Sequence, residues 1–157
     1  HGALPLHWAL RKHAPEGVTL GILNAHLEAC AVSIKNEEGV EMLPLQLALD
    51  KGADLRVAIR ILEAPGAGRS LTELKCGGKV VGDGNAQALC ASLAKHTACL
   101  TALDLSRNRL TAVPPPVCEI ATLQTVIIAN NAIKELPLEL LRLTKQNCSA
   151  SHGMWCL

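Results

Sequence analysis

Six histidines and seven cysteines are the residues of this chain best suited to metal ligation or nucleophilic chemistry. The histidines stand at 1, 7, 13, 26, 96 and 152, and their spacing fits no metal site. His7 and His13 are six residues apart, so they do not share a helix face as ligands at i and i+4 would. The cysteines are 30, 76, 90, 99, 118, 148 and 156, with no C-x-x-C pair. Their odd number, and the apolar setting of Cys76 and Cys90, favour reduced thiols in an intracellular protein over a disulfide framework. Asn147-Cys148-Ser149 matches a glycosylation acceptor and argues the other way, but so short a pattern often arises by chance. Lys79-Val80-Val81-Gly82-Asp83-Gly84-Asn85 looks like a strand entering a phosphate-cradling loop. That loop needs G-x-x-x-x-G-K-[ST]. Counted from Gly82, the chain has Gln87, Ala88 and Leu89 where Gly, Lys and a hydroxyl residue belong. The segment is therefore read as structure: Val81 fills the core, and Gly82 to Gly84 turn the chain into a helix. No nucleophile elbow or zincin motif is present. We expect no catalytic residues, no metal and no cofactor.

The elements that would carry such residues follow from the composition. The chain has 157 residues, enough for one ordinary domain or two small ones. With 49% apolar and 18% charged residues it is not a disordered composition. It has two Trp but no Phe and no Tyr, while 27 Leu and 22 Ala supply 49 residues. That points to many similar thin layers and against stacking platforms for nucleic-acid bases. The net charge of +1 leaves no electrostatic footprint for nucleic acid or an anionic membrane. The apolar run Val126 to Ala129 fits a buried strand and is far too short for a membrane span. No secretory signal opens the chain, and His1 is not a start Met, so a fragment or processed product is expected. Cytoplasmic localisation is the expectation.

Internal repeats organise the first part. Leu4-Pro5-Leu6-His7-Trp8-Ala9-Leu10 recurs as Leu43-Pro44-Leu45-Gln46-Leu47-Ala48-Leu49, an offset of 39. The same offset maps Val18 on Val57, Leu20 on Ile59, Ile22 on Ile61, Leu23 on Leu62 and Ala25 on Ala64. Each unit reads as two short helices, with Pro5 or Pro44 near the start of the first. Leu55, Ala58, Ile59 and Leu62 give the second helix one apolar face. Lys35 to Gly39 is a polar loop tip. This part resembles ankyrin repeats. The Pro-Leu-His-x-Ala core stands at Pro5 to Ala9 and, with Gln46 for His, at Pro44 to Ala48. Leu4 and Leu43 replace the signature Thr, and the period is 39 against about 33. The resemblance implies a structural, hydrogen-bonding role for His7. Trp8, in Leu47's place, is expected to pack.

Pro65-Gly-Ala-Gly-Arg-Ser70 breaks helix and strand alike, and a second period follows. Leu71-x-x-Leu74-x-Cys76 recurs as Leu100-x-x-Leu103-x-Leu105, 29 residues on, and as Leu123-x-x-Val126-x-Ile128, 23 later. Asn108 and Asn131 follow at matched places, then Leu110 and Ile133. This pattern resembles leucine-rich repeats. The alternation puts apolar residues on an inner strand face and the intervening ones on the concave surface. The Asn sits at a turn, where its amide can bond backbone groups. Leu89, Cys90, Leu93 and Ala94 mark an amphipathic convex helix over 86–96, as in the ribonuclease-inhibitor type. There Asn85 replaces a usual Gly and is expected to tolerate positive φ. Pro114 to Pro116 forbid a regular helix at the start of the next convex segment. The 23-residue repeats resemble the shorter type found in signalling proteins, including Roco proteins.

The expected fold is a repeat solenoid: all-α ankyrin-like helix pairs followed by an α/β leucine-rich-repeat arc. The expected division is 1–64, an ankyrin-like pair; 65–70, a linker; 71–145, three leucine-rich units; and 146–157, an unassigned tail containing Trp155. The expected function is a non-catalytic module that binds a protein partner on the concave face. Glu73, Ala102 and Thr125 form one column there, Lys75, Asp104 and Ile127 the next, and Gly78, Arg107 and Asn130 a third. Glu73, Lys75, Asp104, Arg107, Thr125 and Ile127 are the candidate partner-binding residues, an exposed β-branched Ile127 being costly unless covered. Pro5, His7, Pro44, Asn108 and Asn131 are the structural signature. The loop tip 36–41 and the face near Arg11, Lys12 and His13 read as solvated charge. No nucleic acid, membrane or small-molecule substrate is expected. The alternative is the regulatory fragment of a larger Roco-like GTPase or kinase, whose catalytic domains lie elsewhere.

Overall fold

The computed structural model describes residues 5–35 and 41–140. Contacts divide the chain into two compact units, His1–Leu71 and Thr72–Leu157.

In the first unit, α1 (Pro5–Arg11) and α2 (Glu16–Ala25) form a hairpin, followed by a 3-10 helix over Leu27–Ala31. Two short strands, β1 (Ile34–Lys35) and β2 (Glu41–Met42), pair antiparallel. A second hairpin follows, α3 (Pro44–Asp50) and α4 (Leu55–Glu63). Pro44 takes the first position of α3, where no N–H is needed. The Asp54 carboxylate caps α4 by accepting from the Arg56 N–H at 2.8 Å. The two hairpins turn identically. His13 (φ 52) and Gly52 (φ 68) are both left-handed. The following amides, Ala14 and Ala53, donate to Ala9 O at 3.0 Å and Ala48 O at 2.8 Å. Leu6, Ala9, Leu10, Leu23, Leu45, Ala48, Leu49, Ala58 and Leu62 fill the core. Residues 65–70 form successive turns with Ala67 buried.

In the second unit, β3 (Glu73–Lys75), β4 (Ala102–Asp104) and β5 (Thr125–Ile127) make a parallel sheet in the order β3-β4-β5. Leu74, Leu103 and Val126 are in register and point inward. The crossover after β3 is α5 (Asp83–His96) and that after β4 is a 3-10 helix over Pro115–Glu119; these two pack together. The proline run sets that difference, because its rings and missing N–H groups preclude a full α-helix.

Two asparagines, Asn108 buried and Asn131 half-buried, close the turns after the strands. Asn108 accepts from Val80 N at 2.9 Å and donates to Cys76 O at 3.0 Å. Asn131 accepts from Asn108 N at 2.9 Å and Leu110 N at 3.0 Å, and donates to Leu105 O and Ile128 O.

The architecture corrects several expectations. The described residues form a small mixed α/β protein, not a repeat solenoid. A solenoid stacks like layers that each touch only their neighbours. Here the chain divides after Leu71, and the 3-10 helix at Leu27–Ala31 packs on α2, α3 and α4 together. The ankyrin-like part is not all-α, because β1 and β2 pair within it. The leucine-rich part is not a uniform arc, because one crossover is a 14-residue α-helix and the next a short 3-10 helix. Val80, not Val81, enters the core: Asn108 holds its N–H, and Val81 is left 46% exposed. The positive φ falls on Gly82 (φ 97), while Asn85 is helical and donates to Val81 O. Trp8 does not pack; it is 61% exposed, because Leu6, Ala9 and Leu10 already fill the inward face of α1. Leu4, the tip 36–40 and the tail 146–157 with Trp155 lie outside the described residues.

Asn108→Ala strands the Val80 N–H in the core, while the Cys76 carbonyl keeps its bond from Lys79 N. We expect it to lower stability by about 1–3 kcal/mol, read from the urea midpoint of the second unit.

Candidate functional site

The exposed face of the three-stranded sheet is built by alternation. With Leu74, Leu103 and Val126 inward, the residues on either side of each point outward. The Cα register sets Glu73 beside Ala102 and Ala102 beside Thr125, then Lys75 beside Asp104 and Asp104 beside Ile127. Glu73 and Lys75 are exposed, and the other four are half-buried. Lys75 Nζ lies 3.5 Å from Glu73 Oε1 on the same strand, an exposed pair that solvent screens. Asp104 Oδ1 accepts from Ser106 N at 2.8 Å, which fixes the chain as it leaves β4. Gly77 belongs to this cluster: a Cβ there would stand 3.0 Å from Ser106 Oγ and 3.4 Å from Asp104 Oδ2. Ser106 and Gly77 were not singled out by sequence, since only the close approach reveals them.

Just beyond lies a row of left-handed residues, Gly78 (φ 69), Arg107 (φ 57) and Asn130 (φ 57). The ladder passes through them, with Gly78 N donating to Ser106 O and Arg107 N to Ala129 O. For Arg107 this conformation costs about 1–2 kcal/mol, and it leaves the residue exposed at the edge of the face. A shallow cleft of about 410 Å³ follows Asn130, lined by Ile128, Ile133, Lys134 and Leu136 among others.

The signature residues Pro5, His7 and Pro44 belong to the first unit. Pro5 opens α1 and is exposed, whereas Pro44 is buried. His7 is fully buried, and its Nε2–H donates to Val32 O at 3.0 Å. Its Nδ1 finds no partner. Burial, and more weakly the nearby Arg11 charge, pull its pKa below the ordinary value, against the raising effect of the Val32 bond. Asp83, at the first position of α5, was also missed by sequence. Its carboxylate accepts from Thr111 Oγ1 at 2.6 Å and Thr111 N at 2.8 Å, which lowers its pKa. Burial pushes the Cys30 thiol up to about 11 and Cys90 to about 12, away from the reactive thiolate.

Among the described residues, no cluster of three or more His, Cys, Asp or Glu gathers as metal ligands would, and no helix is long and apolar enough to cross a membrane. No family model, curated protein or solved structure matches the chain. What the sheet face can do chemically is contact: it places charges of both signs in rows with the β-branched Thr125 and Ile127.

Two outcomes follow. Because the folded pKa of His7 is depressed, the unfolded chain takes up the proton first as pH falls. The contribution of neutral His7 is complete above about pH 6.5 and is lost as pH falls from there through the folded pKa. Urea midpoints of the first unit should drop over that range, and His7→Gln, which keeps a donor for Val32 O, should flatten the slope. Maleimide at pH 7 should leave Cys30 and Cys90 unmodified until denaturant is added, as read by peptide mass mapping.

Proposed function

We propose that the protein is a non-catalytic module whose exposed sheet face binds a protein partner. One observation carries this reading: the register sets Ile127 in a row with Asp104 and Lys75 on the outward face of the sheet. Glu73 and Thr125 complete the second row, and Arg107 stands at the rim. A half-buried Ile127 in a row with an acid and a base suits a partner that offers an apolar contact with polar groups beside it. The likeness of the sequence over 71–145 to the leucine-rich motif supports the same reading, as a resemblance of motif alone. We further propose a cytoplasmic setting, supported by the free, buried thiols of Cys30 and Cys90.

Asp104→Arg would also break the bond to Ser106 N, so Lys75→Glu combined with Ile127→Asp is the cleaner test. With folding checked by circular dichroism and an unchanged melting temperature, the double variant should lose partners that the parent retains in a pull-down. Retention of every partner by the folded variant defeats the proposal.

A further inference from the structure

The two hairpins of the first unit share a backbone but not a surface. Across the 39-residue offset, Pro5, Trp8, Val18 and Ala25 are exposed, whereas Pro44, Leu47, Val57 and Ala64 are buried. The contrast is large: Trp8 is 61% and Val18 52% exposed, against 3% for Leu47 and 1% for Val57. The inward residues do not differ in this way, since Leu6 and Leu45, Leu10 and Leu49, and Leu23 and Leu62 are all buried. One face of α1–α2 is thus left open where the same face of α3–α4 is closed.

The second hairpin packs on helical neighbours. α3 packs on α1 and on the 3-10 helix after α2, and α4 packs on α2 and that same 3-10 helix. The cover is therefore itself a helical hairpin, one that turns leucines and alanines inward. Arg56 adds a rim contact to Glu16 at 3.6 Å, and Arg60 Nε donates to Asn24 Oδ1 at 3.3 Å. On the open face Gly17 and Gly21 stand in the places of Arg56 and Arg60, and a Cβ added at either meets nothing within 4 Å. An occupant meets bare backbone there, so it needs no acid where Glu16 stands. Trp8 supplies a large, stiff, half-polar side chain of the kind that anchors interfaces.

We propose that the outer face of α1–α2, centred on Trp8 and Val18, docks a helical hairpin of a partner protein that presents leucine and alanine as α1–α2 presents them to α3–α4. This proposal does not rest on the reading of the sheet face.

The test supplies such a hairpin. A second copy of residues 5–43 replaces residues 1–4, so that its last residue joins Pro5 and the 39-residue spacing is kept. Trp8→Leu in the added copy and Trp155→Phe in the tail leave the original Trp8 as the single indole. Docking should lower acrylamide quenching of Trp8 several-fold relative to the unextended Trp155→Phe chain, shift its emission to the blue and add helical ellipticity at 222 nm. Leu6→Asp with Leu10→Asp in the added copy should return quenching to the unextended level. If Trp8 stays as accessible as in the unextended chain, or if the added residues contribute no helix, the face does not accept such a hairpin and the inference fails.

Discussion

Two side-chain amides, those of buried Asn108 and half-buried Asn131, set where the second unit can turn. Each strand is three residues long, and the ladder runs only a few residues further, to Gly78 and Arg107. The N–H groups of Val80, Asn108 and Leu110 and the carbonyls of Leu105 and Ile128 find their partners in the two amides. A buried backbone group left alone costs about 1–3 kcal/mol, so without these amides the chain could not leave the sheet at this depth. The rest hangs on that exit. Val80 is pinned inward by it, Gly82 swings the chain into α5, and the outward rows beside Leu74, Leu103 and Val126 keep their register because the strands end together.

The first unit closes its tight turns with the backbone, and Asp54 and Thr19 add side-chain bonds beside them. Its tight turns close through backbone bonds from Ala14 to Ala9 and from Ala53 to Ala48, with a left-handed residue just before each. His7 is a buried ring spent on one carbonyl of the segment before β1. The cost is an acceptor nitrogen with nothing to accept from, a cost that makes the neutral ring part of the folded state.

Much of this was legible in the residues. The L-x-x-L-x-L spacing places the strands and their register, because a period of two admits one inward set. The proline run shortens the second crossover, and Pro44 marks a helix start. Other features were not legible, for physical reasons. Periodicity says which face of α1 is apolar but not whether a neighbour covers its back, so Trp8 could be assigned to packing by analogy with Leu47. The swap of Val80 for Val81 turns on one hydrogen bond from Asn108, 28 residues away. Gly77 looks like an ordinary turn glycine until Asp104 and Ser106 are placed against it. The short strands β1 and β2 carry no periodic signal at two residues each. The solenoid expectation failed one level higher. Local motifs specify turns and strands, whereas the number and likeness of stacked layers are properties of the whole chain.

The left-handed turn shared by His13 and Gly52 has a consequence for how such a protein changes over time. Its closure lies wholly in main-chain atoms, so the side chain at the tip is a bystander to folding. Glycine occupies one tip and imidazole the other, on the same skeleton. Positions of this kind can exchange residues at a small conformational cost, and recognition can drift there under selection while the architecture beneath stays as it was.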